Sequence, residues 1–263
     1  MTSTRSPFRE PMYPTSTCYR ATIAALTVVV VLGTLVPAAA AQDVLEPAIT
    51  KATIDFGFVQ TSGNTAVTTL NVGERFSRER GRFTLSQAFA MVYGKQGDTV
   101  STNNLRTTLR GDYKIDRVLA VFLGGGFDRN RFAGIERRFE EQFGLQARVL
   151  AMSKDTINLE GGGSVTQQIS TDGEQRNFPS ARGAISWRHS FTATSYFDQQ
   201  VEWVPNLSET KDWRVNLESS IVAPLSARIG VKLSWVLRYD NLPQPGFSDT
   251  DRFFTTGVQI TYD

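Results

Sequence analysis

A chain of 263 residues with 40% hydrophobic and 21% charged residues and a formal net charge of +2 can build one large domain or two small ones, and it lacks the basic excess that nucleic-acid binding needs. Its mean hydropathy of −0.23 argues against a bundle of apolar membrane helices. It leaves room for a membrane barrel, whose strands alternate apolar and polar residues and average out as mildly polar.

The first element is an export signal over residues 1–41. Arg20 precedes an apolar run from Ala21 to Val36, and Pro37 and Ala38 to Ala41 supply small residues for cleavage before Gln42. The run is short for a spanning anchor, and no basic stop-transfer flank follows it. The leader before Arg20 is long, so Met12 is an alternative start to Met1. Removing Arg5, Arg9, Arg20 and Glu10 from 28 basic and 26 acidic residues leaves a formally neutral mature chain. The same cleavage removes Cys18, the one cysteine, and with it disulfide frameworks, thiolate metal sites and cysteine nucleophiles. Cys18 stands before the apolar run and so is not a lipid-attachment cysteine.

Residues 42–51 read as a short polar periplasmic lead-in, and residues 52–263 as one domain. Helical periodicity is scarce there, and twelve segments show strand alternation instead. The first, 52–60, aligns Ile54, Phe56 and Phe58 on one face, followed by a turn at Ser62-Gly63-Asn64. Segments 66–78 and 82–94 follow, the latter with Phe83, Leu85, Phe89, Met91 and Tyr93 aligned. Segment 103–114 sets Leu105, Leu109 and Tyr113 opposite Arg106, Arg110 and Asp112. Segments 117–129, 142–152, 156–169, 181–189, 193–204 and 213–223 repeat the rule. The clearest is 228–239, where Ile229, Val231, Leu233, Trp235, Leu237 and Tyr239 oppose Arg228, Lys232, Ser234 and Arg238. Segment 254–262 closes the series with Phe254, Val258, Ile260 and Tyr262 on one face.

An apolar face rich in aromatics and an opposite face carrying full charges describe a strand with lipid on one side and a lumen on the other. The expected fold is therefore all-β: a closed antiparallel transmembrane β-barrel of about twelve strands. Tight turns are expected after segments two, four, six, eight and ten. Longer polar loops are expected at 95–102, 130–141, 170–180 and 241–251, on the opposite rim. A soluble lipocalin-like binder is the alternative architecture.

The expected lumen lining is Arg106, Arg110, Asp112, Arg148, Glu160, Arg182, Arg188, Asp198, Glu202, Arg214, Glu218, Arg228, Lys232 and Arg238. Charges turned inward must touch water or pair with one another. They either line a conduction path, with surplus arginine favouring anions, or fill a narrow lumen with salt bridges. No catalytic, cofactor-binding or metal residues are expected. His189 is the single histidine, and Ser190 follows it. Neighbours in a strand face opposite sides and no orienting carboxylate is evident, so a lipid hydrolase remains the alternative from another class. Gly124 to Gly126 and Gly161 to Gly163 fall inside strands and read as relief of curvature rather than phosphate loops. Arg129, Arg131, Arg137 and Arg138 could grip lipopolysaccharide phosphates or be solvated loop charge.

Thr61-Ser62-Gly63-Asn64-Thr65, Leu70-Asn71-Val72-Gly73, Tyr93-Gly94, Asp112-Tyr113, Arg117 and the run Phe127 to Ile135 resemble the family of salt-induced outer-membrane proteins. The resemblance spans essentially the whole mature chain. It implies an outer-membrane barrel and carries over no catalytic residue. The end of the chain, with Gly257, Ile260 and Tyr262, resembles the signal read by the barrel assembly machinery, though it finishes on Asp263 instead of an aromatic residue. Expected partners are thus outer-membrane lipid, that machinery during biogenesis, and small ions or solutes, with no nucleic acid and no cofactor.

Overall fold

A computed structural model describes residues 47–61 and 67–262, so the export signal, half of the lead-in and the turn expected at Ser62-Gly63-Asn64 lie outside the described residues. Twelve strands run in order: β1 (Ile49–Thr61), β2 (Val67–Arg80), β3 (Phe83–Gln96), β4 (Thr99–Lys114), β5 (Leu119–Asn130), β6 (Ile135–Ala151), β7 (Asp155–Ser170), β8 (Gln175–Ser190), β9 (Tyr196–Pro205), β10 (Trp213–Pro224), β11 (Ile229–Asp240) and β12 (Thr250–Tyr262). Each pairs antiparallel with its neighbours in sequence, and β1 pairs with β12, which closes the sheet. A 3-10 turn, Arg131–Ala133, joins β5 to β6.

The strands alternate as anticipated, and the burial is inverted relative to a soluble protein. Leu109, Leu123, Phe143 and Ile260 are exposed on the outer face, at 55%, 68%, 57% and 51%. Arg182, Arg214 and Lys232 are buried. Near the short-turn rim the outer face carries Trp187 and Phe197, rings 5.6 Å apart, and Tyr262. Near the other rim it carries the pairs Trp213–Tyr239 and Phe127–Phe139, each 5.0 Å apart. Apolar side chains facing outward between two aromatic girdles fit a lipid surround, because amphipathic rings favour the headgroup level.

The loop reading needs correction. Polar residues at 95–102, 130–141 and 170–180 belong mostly to strands: β3 and β4 run to a turn at Gly97, β6 starts at Ile135 and β8 at Gln175. The lead-in likewise gives Ile49 to Lys51 to β1. The cause is physical. Above the lipid both faces of a barrel strand meet water, so polarity no longer marks where pairing stops, and the ladder continues until a residue such as Gly97, at φ 60°, turns it.

Glycine has a spatial task at one cross-strand pair of the wall. Gly144 faces Gly162 across β6 and β7. A Cβ on Gly162 would stand 2.0 Å from the Phe143 carbonyl oxygen, and one on Gly144 would stand 2.8 Å from the Phe122 ring. The pair leaves the hollow that Phe122 fills. Gly162→Val is therefore expected to destabilise the barrel by at least ~1–3 kcal/mol, the cost of overpacking, read as a lowered temperature for loss of the folded band on a semi-native gel.

Candidate functional site: an ion-paired lumen

Alternation delivers the inward charges, and the closed order brings distant strands face to face. Arg110 on β4 bonds Asp112 at 2.7 Å and Gln146 at 2.8 Å, and reaches Glu160 on β7 at 2.9 Å. Glu160 also receives Arg182 at 2.6 Å, and Arg182 bonds Glu202 at 2.6 Å. Phe122 lies beneath both guanidiniums, 4.0 Å from that of Arg110 and 5.5 Å from that of Arg182. Phe122, buried at 4% exposure, and these pairs pack this half of the lumen.

Other pairs cross open space. Arg75 on β2 meets Glu218 on β10 at 2.6 Å. Arg214 meets Glu140 on β6 at 3.2 Å. Arg106 on β4 stands 4.0 Å from Glu202 on β9, and Arg238 on β11 stands 3.4 Å from Asp128 on β5, the strand opposite in the closed order. Toward the short-turn rim, Lys232 bonds Asp55 at 2.5 Å, Gln259 donates to Asp55, and Tyr196 donates to Gln259. Arg188 pairs with Asp198 at 2.6 Å. Arg148 lies exposed at the end of β6, and Arg228 lies exposed in the β10–β11 turn, off the strand wall, with its guanidinium 5.9 Å from the Tyr262 ring.

Sequence reading missed Asp55, Arg75, Asp128 and Glu140. Asp55 and Arg75 had a usable signal, since each occupies the inward phase of its strand, as Asp55 does between Ile54 and Phe56. Glu140 did not, because it was assigned to a loop.

Two of the cavities among the described residues bear on the lumen charges. One of about 300 Å³ is bounded by β1 to β4 and β9 to β12, where Gly73, Ala88 and Ala90 leave room. A smaller one of about 70 Å³ lies toward the loop rim, beside Asp128, Glu140 and Arg214. Both are lined by Arg106, Thr108, Asn216 and Arg238, which stand where the two adjoin; this junction is the neck between them.

The β11–β12 loop, residues 241–249, crosses the mouth above the smaller cavity. It rises from the side opposite the β5–β6 connection, yet its Gln244 and Phe247 rest on Gly134. Gly134 has φ 74°, and a Cβ there would stand 2.9 Å from the Gln244 Cβ. Asn130 donates to Asp251 at 2.8 Å beneath this bridge. The basic run nearby is tied internally: Arg131 is bonded to Glu136 at 2.6 Å and Arg138 to Gln168 at 2.6 Å.

His189 does have an orienting carboxylate, contrary to the sequence reading. Asp155 lies 2.9 Å from its Nδ1 and also accepts from Trp187 Nε1 at 2.9 Å. The partner was hidden because it comes from β7, paired across at the turn. Ser190 pairs with Tyr196 on the lumen side, while His189 sits outside against Phe191, so the two are not brought together. An aromatic patch with a hydrogen-bonded polar edge is what an interfacial anchor requires.

Fold and lumen together define a membrane-spanning β-barrel with a charged interior. The profile of the family described as "Protein of unknown function, DUF481" matches residues 54–262, and the chain belongs to that family. No curated protein matches it. Among solved structures, the NanC porin is 12% identical, aligned over 79% of this chain and 98% of its own with a TM-score of 0.50. The translocator domain of the autotransporter NalP from Neisseria meningitidis is 11% identical over 92% of this chain and 95% of its own, TM-score 0.43. An outer-membrane channel from Pseudomonas putida F1 is 9% identical over 86% and 98%, TM-score 0.46. At such identities the NanC likeness speaks for the fold alone.

Two expectations follow. Glu160→Gln removes the carboxylate that Arg110 and Arg182 share but leaves each its other partner, Asp112 and Glu202, so it should cost about 1–3 kcal/mol, measured as loss of thermal stability in detergent. Gly134→Val should lift the 241–249 loop off its seat, seen as faster protease cleavage within 242–247 while the barrel stays resistant.

Proposed function

We propose that this chain is an outer-membrane barrel, not an enzyme, whose lumen provides a narrow water-filled pathway for small ions or solutes. The observation that supports this reading best is the pair of cavities, about 300 and 70 Å³, lined by charges and meeting at one neck. Cavities lined by ionised groups hold water, because dehydrating those groups would cost far more than their pairing returns. The packed half, from Phe122 to Glu202, narrows the route well below that of a sixteen-stranded porin.

The outward apolar surface supports residence in lipid, and the export signal expected at residues 1–41 would direct the chain to the outer membrane through the assembly machinery. A second reading is a barrel that braces the envelope under osmotic stress. The cross-lumen pairs favour it, since struts such as Arg238–Asp128 tie opposite walls together.

Planar-bilayer recording of refolded protein separates the two readings. Discrete conductance steps much smaller than those of large porins are expected from a pathway. A barrel that is folded by gel mobility and circular dichroism yet silent across repeated insertions would leave the bracing role.

A further inference from the structure

The lumen is close to balanced in charge as a whole, but the balance is not local. The four side chains common to both cavities are two arginines, a threonine and an asparagine, and no carboxylate is among them. The partner of Arg106, Glu202, borders only the larger cavity, and the partner of Arg238, Asp128, borders only the smaller one. Among the ion pairs that join non-neighbouring strands these are the longest, at 4.0 and 3.4 Å, against 2.5 to 3.2 Å for Lys232–Asp55, Arg75–Glu218, Arg110–Glu160 and Arg214–Glu140. The Arg106 side chain keeps 36% of its surface accessible inside the lumen. Positive charge is thus loosely neutralised where the two cavities adjoin. The two guanidiniums there offer charged N–H donors that can replace the hydration shell of an anion, whereas a cation would meet only the neutral oxygens of Thr108 and Asn216, whose amide already donates to Glu202 at 2.8 Å.

Resting on the pathway reading above, we infer that the neck makes the barrel selective for small anions, with Arg106 and Arg238 as the specificity-determining residues. An anion crossing the neck exchanges water for guanidinium donors. A cation must pass two like charges at less than a Debye length, about 8 Å at physiological salt, where screening is weak.

The test is the reversal potential of single channels in a tenfold potassium chloride gradient. Wild type is expected to prefer chloride. Arg106→Gln with Arg238→Gln should lower the chloride-to-potassium permeability ratio several-fold, and Arg106→Lys with Arg238→Lys should keep it. Lys154→Gln, in the exposed β6–β7 turn, serves as a charge-loss control and should leave the ratio unchanged. Thr108→Asp places a carboxylate at the neck without removing either arginine, so it carries the test if the double glutamine variant does not fold. It should reduce or reverse the preference. Channels that conduct but prefer potassium, or whose ratio is indifferent to both the glutamine and aspartate variants, overturn the neck assignment and leave the pathway standing. A folded wild-type barrel that never conducts instead removes the pathway itself.

Discussion

The structure depends on closure of its hydrogen-bond ladder. In hydrocarbon an unpaired backbone amide or carbonyl costs several kcal/mol, so a sheet that spans a membrane must return to its first strand. Here that return is the β1–β12 pairing, in which Ile54 faces Ile260 and Asp55 faces Gln259. The seam also orders the interior: Gln259 donates to Asp55, and Asp55 holds Lys232 of β11. The last strand therefore completes both the wall and the charge network behind it.

Once the wall is closed, the interior must reconcile buried charge with limited space. It does so differently in its two halves. Around Phe122, two arginines share one glutamate above an aromatic ring, and small residues such as Gly144 make the space for that ring. Around Gly73, Ala88 and Ala90 the inward side chains are short, so a cavity remains beside the pairs, such as Arg75–Glu218, that cross the lumen there. Packing on one side and hydration on the other are alternative ways to avoid an isolated buried ion. Their coexistence in one barrel sets the larger cavity to one side of the lumen.

Much of this was legible in the sequence. Alternation over Ile229 to Tyr239 and over Leu105 to Tyr113 assigned strands and faces, because in a strand the side-chain period is two whatever surrounds it. The extent of the strands was not legible. Arg137, Arg138, Glu140 and Glu141 look like loop, yet they continue β6, because beyond the lipid a polar residue suits either face. Partners across the lumen were hidden as well. Asp155 beside His189 is separated from it by a hairpin, and Asp128 beside Arg238 by half the circumference of the barrel.

By itself the sequence determined that each strand has a greasy and an ionic face, since that pattern is local and survives any register. Only the tertiary structure decided which arginine meets which carboxylate, and hence where the charges cancel and where they do not. Cross-lumen pairing depends on the closed strand order and the register of each hairpin, which together set which side chains share a level. No periodicity within a single strand carries that information.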